Sequence, residues 1–211
     1  MWGLKIIYSM ISLNDIRKPL RKQIQKGIYV SQLKDFILRD GVYFHKHGTI
    51  LDFNVHLKTK GIDLQRPFVW ILEQKQQLIY SLLKGIDIPY YTVIVRELED
   101  KSKIYLIIDG KQRLSTLIDF CHNKFPITIN GVNYYYYDFP PSVSNESDLK
   151  VNIRYAIDSY HIHFNIVYDY WDDMLTDNEL IDWFEQINFF GTPHDEIHMN
   201  NLRDYKCLFN L

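Results

Sequence analysis

The five residues Ile104–Ile108, IYLII, contain no charged residue, and a helical pattern begins directly after the Asp109-Gly110 that follows them. An apolar run this short and unbroken suits a strand buried on both faces. Asp-Gly predicts a tight turn. Leu114, Leu117, Ile118 and Cys121 then mark the inward stripe of a helix from about Gln112 to Asn123. A helix start presents free backbone N–H groups and the positive end of the dipole, so anions bind there. Gly110 removes the side chain that would block a ligand's approach. Lys111 and Arg113 add positive charge, and a guanidinium can grip phosphate through two parallel bonds. Asp109 is placed to hold Mg²⁺ or a ribose hydroxyl, and Ser115 and Thr116 supply hydroxyl donors. An Asp-Gly strand-to-helix turn is also a common structural device in which the Asp only caps the helix. These residues alone leave both readings open.

Around this unit the chain alternates strand and helix signals, which predicts an α+β fold. Ile50–Leu57 alternates Leu51, Phe53, Val55 and Leu57 with polar partners and reads as a strand. A helix is expected over Trp70–Lys84, with Leu72, Gln76, Ile79 and Leu83 on one face and Gly85 as its stop. Trp70 itself reads as a core residue. Tyr91–Leu98 and Ile162–Tyr168 read as strands, and Asn130-Gly131 as the turn of a hairpin between Phe125–Ile129 and Val132–Tyr137. Pro140–Asp148 is a polar loop. Thr176 and Glu179 form a capping box opening a helix with Leu180, Trp183, Phe184 and Ile187 inward. Residues 1–48 read as a helical N-terminal extension: Leu20, Ile24 and Ile28 have helical spacing, and Ser31 is positioned to cap a second helix ending at Asp40-Gly41. The remainder, 49–211, forms the main domain.

Composition excludes several classes. The net charge is −2, whereas a protein coating DNA is normally basic. The single basic run, Arg17–Lys26, reads as a solvated helix face. Cys121 and Cys207 form no CxxC pair, which fits a reducing, cytoplasmic setting. Met1–Leu13 is too short to span a bilayer. His161/His163 and His45/His47 are spaced to share a strand face, and His194/His198 a helix face. None has a Cys or carboxylate partner at metal-ligand spacing, so no dedicated metal site is expected. Asp169, Asp172 and Asp173 read as a solvated turn. No nucleophile–base triad can be drawn.

Further motifs surround the central turn. Gln65-Arg66-Pro67-Phe68-Val69-Trp70 precedes the first helix of the main domain, and Ile88-Pro89 precedes the next strand. Asp109-Gly110-Lys111-Gln112-Arg113 follows, and then Phe184-Glu-Gln-Ile-Asn188 with Gly191-Thr192. In order and spacing these resemble DUF262, the family named for its D-G-Q-Q-R motif, with its Q-R-P-x-x-W and F-x-x-I-N-x-x-G-T elements. One position departs: Lys111 stands where the family has the first Gln.

The resemblance implies a ParB/sulfiredoxin-like fold, a small mixed sheet with flanking helices, in which the turn binds nucleotide phosphates. It assigns catalytic roles to Asp109, Gln112 and Arg113. It assigns nucleotide contacts to Gln65, Arg66, Gly110, Lys111, Ser115, Thr116 and Asn188, the last of which could equally be a helix cap. It further implies Mg²⁺ carried with the bound NTP, Mg-dependent NTP hydrolysis, and a role in DNA restriction or phage defence. DNA or a separate nuclease subunit would be the partner, and the cytoplasm (or a virion, if phage-encoded) the location. Only 23 residues follow Asn188, so a minimal stand-alone version without its own nuclease domain is the expectation. Two other readings remain: an inactive structural or partner-binding protein that retains the fold, and a ParB-like DNA-processing nuclease.

Overall fold

The computed structural model describes residues 23–39, 41–45, 48–57, 63–65, 67–141, 149–170 and 174–189, with Asn200 and Asp204. Its centre is a seven-stranded mixed sheet in the order β1-β9-β5-β6-β4-β3-β2. The strands are β1 Gln23–Tyr29, β2 Phe36–Arg39, β3 Val42–His45, β4 Ile50–Asp52, β5 Tyr91–Glu97, β6 Lys103–Asp109 and β9 His161–Asp169. A separate hairpin pairs β7 Ile127–Ile129 with β8 Val132–Tyr134. The helices are α1 Leu72–Leu83, α2 Lys111–Cys121, α3 Leu149–Asp158 and α4 Asp177–Phe189. The α+β expectation holds.

The two central strands explain the apolar runs. In β6, Ile107 packs into one cluster with α1, α2, α3 and the hairpin. Leu106 and Ile108 pack into a second cluster on the opposite face, with Leu180, Ile181 and Phe184 of α4. In β5, Val93 and Val95 join the first cluster and Ile94 the second. Strands covered on both faces carry no polar alternation. Segment 50–57 alternates as read, with Leu51, Phe53, Val55 and Leu57 buried, although only Ile50–Asp52 is laddered. Asn130 and Gly131 both take positive φ, +51° and +78°, the signature of a two-residue type I′ hairpin turn. Thr176 and Glu179 make the reciprocal capping bonds at 3.3 and 2.9 Å.

The helical N-terminal extension is corrected where the structure describes it. Residues 23–29 form β1, an antiparallel edge strand on β9. A 3-10 helix, Val30–Asp35, follows, and then the β2–β3 hairpin. A spacing of four, as between Ile24 and Ile28, is one helical turn but also two strand periods, so it does not separate the two. Gly41, read as part of a helix stop, adopts φ +81° between paired strands; Asp-Gly is equally a hairpin signal. The helix α3 was not foreseen. Leu20 and the basic residues before Gln23 lie outside the described residues.

Candidate functional site

The C-terminal ends of β4 and β6 lie at the same end of the sheet as the N-terminal ends of β5 and β9, because β4 runs parallel to β6 and antiparallel pairing joins β6 to β5. The Asp109–Arg113 turn sits at the centre of that end. Asp109 is the last residue of β6, and Gly110 is the N-cap of α2 with φ +98° and ψ +11°. No side chain caps this N-terminus. The predicted strand–turn–helix is therefore present, and Asp109 does not act as the cap.

Gly110 is required by its surroundings as well as by its φ. A Cβ built on it would overlap the ring of Tyr91 and come within 3.0 Å of Cε1. Tyr91 is 1% exposed, and burial pushes its phenol far above the ordinary tyrosine range. Its hydroxyl has no hydrogen-bond partner among the described residues. An unsatisfied buried hydroxyl costs about 1–3 kcal/mol. Tyr91→Phe should therefore raise stability by about 1 kcal/mol, read from the urea midpoint. A loss of stability would show that the hydroxyl is satisfied in solution.

Arg113 is engaged on three sides. Its Nη2 donates to Asp109 Oδ2 at 2.8 Å, Nη1 donates to the Pro89 carbonyl, and the guanidinium carbon lies 4.9 Å from the centre of the Tyr91 ring. The pair ties the start of α2 to the start of β5. Gln112 is 8% exposed and works as a backbone clamp. Its Oε1 accepts from the Val69 and Trp70 N–H groups at 2.9 and 3.3 Å, and its Nε2 donates to the Pro67 carbonyl at 2.9 Å. One amide thus fixes the Pro67–Trp70 segment beside the turn. Gln65 is also buried, and donates to the carbonyl of Ile107 in β6. There it stands in for β4, whose pairing with β6 has ended at Asp52. Thr116 is fully buried and bonded to the Gln112 carbonyl at 2.8 Å, which turns its hydroxyl into the helix, while Ser115 is half-buried. Arg66 and the side chain of Asn188 lie outside the described residues.

Lys111 is half-buried, and its Nζ reaches Asn54 Oδ1 at 3.5 Å. Burial lowers its pKa below the usual lysine value, while the Asp63 and Asp52 carboxylates push it back up. The departing position of the motif is thus embedded in a polar cluster that the sequence did not single out. Asp52 and Asn54 belong to the polar face of the 50–57 strand pattern, and no local pattern ties them to Lys111, 59 and 57 positions on. Tyr91 and Pro89 were likewise missed, because their roles come from the β5–β6 register. Among the described residues no group of three or more His, Cys, Asp or Glu side chains could hold a metal ion. No described helix is long and apolar enough to cross a membrane.

A sequence model of the GmrSD restriction endonuclease N-terminal domain matches residues 62–201. Nothing among the curated proteins matches the chain, and no solved structure does. The matched span contains the whole Asp109–Arg113 turn, the Gln112 clamp and strands β5, β6 and β9, while β4 lies before it; this agrees with the motifs that resemble DUF262. The chain belongs to the family of GmrSD restriction endonuclease N-terminal domains.

Proposed function

We propose that this chain is the nucleotide-binding module of a DNA restriction system, and that the Asp109–Arg113 turn receives the phosphates. The observation that carries the reading is an uncapped helix N-terminus at Gly110, flanked by Lys111 and Arg113. Backbone N–H groups, the dipole and two cations favour the same ligand charge there. An arriving phosphate competes with Asp109 for the Arg113 guanidinium. The carboxylate so released becomes free to face Mg²⁺, which would arrive on the triphosphate with most of its ligands from phosphate and water. Hydrolysis would then rest on positioning and charge stabilisation, with Asp109 orienting the ion or the attacking water. Gln65 and Gln112 act by holding the frame. Such a module would act in the cytoplasm and regulate a nuclease subunit that cuts DNA.

A second reading has its own support. Arg113 is only 16% exposed and already satisfied by Asp109, Pro89 and Tyr91, as a purely structural clamp would be. Calorimetry and thermal shift with the four NTPs and Mg²⁺ separate the two. A ligand at about 100 times its dissociation constant stabilises the fold by about 2.7 kcal/mol. The expected result is a shift for at least one NTP that is lost in Lys111→Ala and in Arg113→Ala, with the ligand-free stability of each variant as reference. Phosphate release, lost in Asp109→Asn while binding is kept, then distinguishes an enzyme from a switch. No shift with any NTP discards the nucleotide reading and leaves a structural or partner-binding module.

A further inference from the structure

A groove of about 810 Å³ opens at the starts of β5 and β9, lined by Asp87, Pro89, Tyr90, Tyr160, His161 and His163 among others. Pro89 belongs to both places: it lines the groove, and its carbonyl accepts the Arg113 hydrogen bond. Tyr90 is the next residue, about 3.8 Å further along the chain. It is 41% exposed and stacked on His163, with ring centres 4.9 Å apart and planes inclined by 25°. His163 in turn meets His161, Nδ1 of His161 lying 3.4 Å from Nε2 of His163. The His161 ring occupies the space that Gly27 leaves open, where any Cβ would overlap it. Tyr160 fixes the groove's floor by accepting from the Ile88 N–H at 2.8 Å and donating to the Ile86 carbonyl at 2.9 Å. Asp87 adds an exposed carboxylate at the rim.

An exposed aromatic held by a second ring at its back is a platform for another flat ring. A carboxylate at the rim accepts hydrogen bonds from ribose hydroxyls or an exocyclic amine. The groove shares Pro89 with the proposed phosphate contact and lies at the same end of the sheet, around the start of β5. We infer that this groove is the nucleoside subsite of the same ligand, the base extending the Tyr90–His163 stack while the phosphates reach Gly110–Arg113. The inference rests on the phosphate reading above.

The test compares Mg²⁺ complexes of ATP, GTP, CTP and UTP with that of inorganic tripolyphosphate, by calorimetry on wild type, Tyr90→Ala and Tyr90→Phe. Wild type should bind at least one NTP more tightly than tripolyphosphate by roughly 5- to 100-fold, the range that base stacking on an aromatic supplies. Tyr90→Ala should bring that NTP to the tripolyphosphate level and leave tripolyphosphate unchanged, and Tyr90→Phe should keep the preference. Equal affinities in wild type, or an equal loss of both ligands in Tyr90→Ala, overturns the nucleoside subsite while the phosphate site stands. Binding of neither ligand overturns both.

Discussion

Gly110→Ala is expected to destabilise the fold by about 2–5 kcal/mol, from two separable sources. A residue with a Cβ held at φ +98° incurs the strain of left-handed backbone, roughly 1–2 kcal/mol. The methyl also meets the Tyr91 ring, which is closed in by Phe164 at 5.3 Å between ring centres and by Arg113. Overpacking at such a site costs about 1–3 kcal/mol. For a chain of this length the melting temperature should fall on the order of 10 °C. Gly85→Ala is the control. Its φ is also positive, +66°, but nothing lies within 4 Å of the added methyl, so only the backbone part should appear. Tyr91→Leu separates the sources further, since Gly110→Ala made in that background should lose most of its steric part. A cost that is the same with and without the Tyr91 ring would place the strain elsewhere in the turn.

The legible parts of the fold were those whose local signal matched their tertiary role. β6 and α2 could be read because the strand is buried on both faces and the helix on one, which leaves an unbroken run and a clear stripe. Asn130-Gly131 and the Thr176 capping box were legible because turn chemistry and capping are decided within four residues. The N-terminal strands were misread because β1 is largely exposed and borrows its order from β9. Its residues hold no alternation that would separate a strand from a helix. α3 was missed because Arg154 occupies an inward position between Val151 and Ile157. A charged residue there breaks the apolar stripe on which helix reading depends.

The site was legible as a motif but not as a set of contacts. Gln112, expected among the catalytic residues, spends its amide on the backbone of residues 67–70. Arg113 pairs with Asp109 four residues before it, a spacing visible in the sequence. Its bond to Pro89 and its ring contact with Tyr91 depend on the β5–β6 register, with the shift between Thr92 and Val93. Lys111 meets Asn54 and feels Asp52 and Asp63 because β4 ends where it does. Pairing across the sheet is a tertiary outcome, and a single sequence encodes it only diffusely.

Arg154→Ala should be among the most damaging substitutions available, at about 3 kcal/mol, the lower end of what breaking a buried ion pair from one side costs, because the Asp158 side chain keeps 25% of its surface in solvent. Arg154 is 6% exposed. Its Nε donates to Asp158 Oδ2 at 2.7 Å, and its Nη1 to the carbonyls of Tyr136 and Phe139 at 3.2 and 3.0 Å. Its guanidinium stacks 3.8 Å from the centre of the Tyr136 ring, and Asp158 also accepts from the Tyr136 hydroxyl at 2.6 Å. Removing the guanidinium takes one donor from each of two carbonyls and from the Asp158 carboxylate, which keeps its bond from the Tyr136 hydroxyl. Arg154→Met with Asp158→Leu removes both charges together and should recover a large part of the loss, because matched apolar replacements for buried pairs are often near neutral. Urea denaturation of both single variants and the double variant gives the coupling between the two charges. If the double variant is as unstable as the sum of the singles, the damage comes from the two carbonyls and not from the ion pair. The same α3 supplies Ala156 and leads into Ser159 and Tyr160 of the groove. Any nucleotide preference should therefore weaken in Arg154→Ala even under conditions where the variant remains folded.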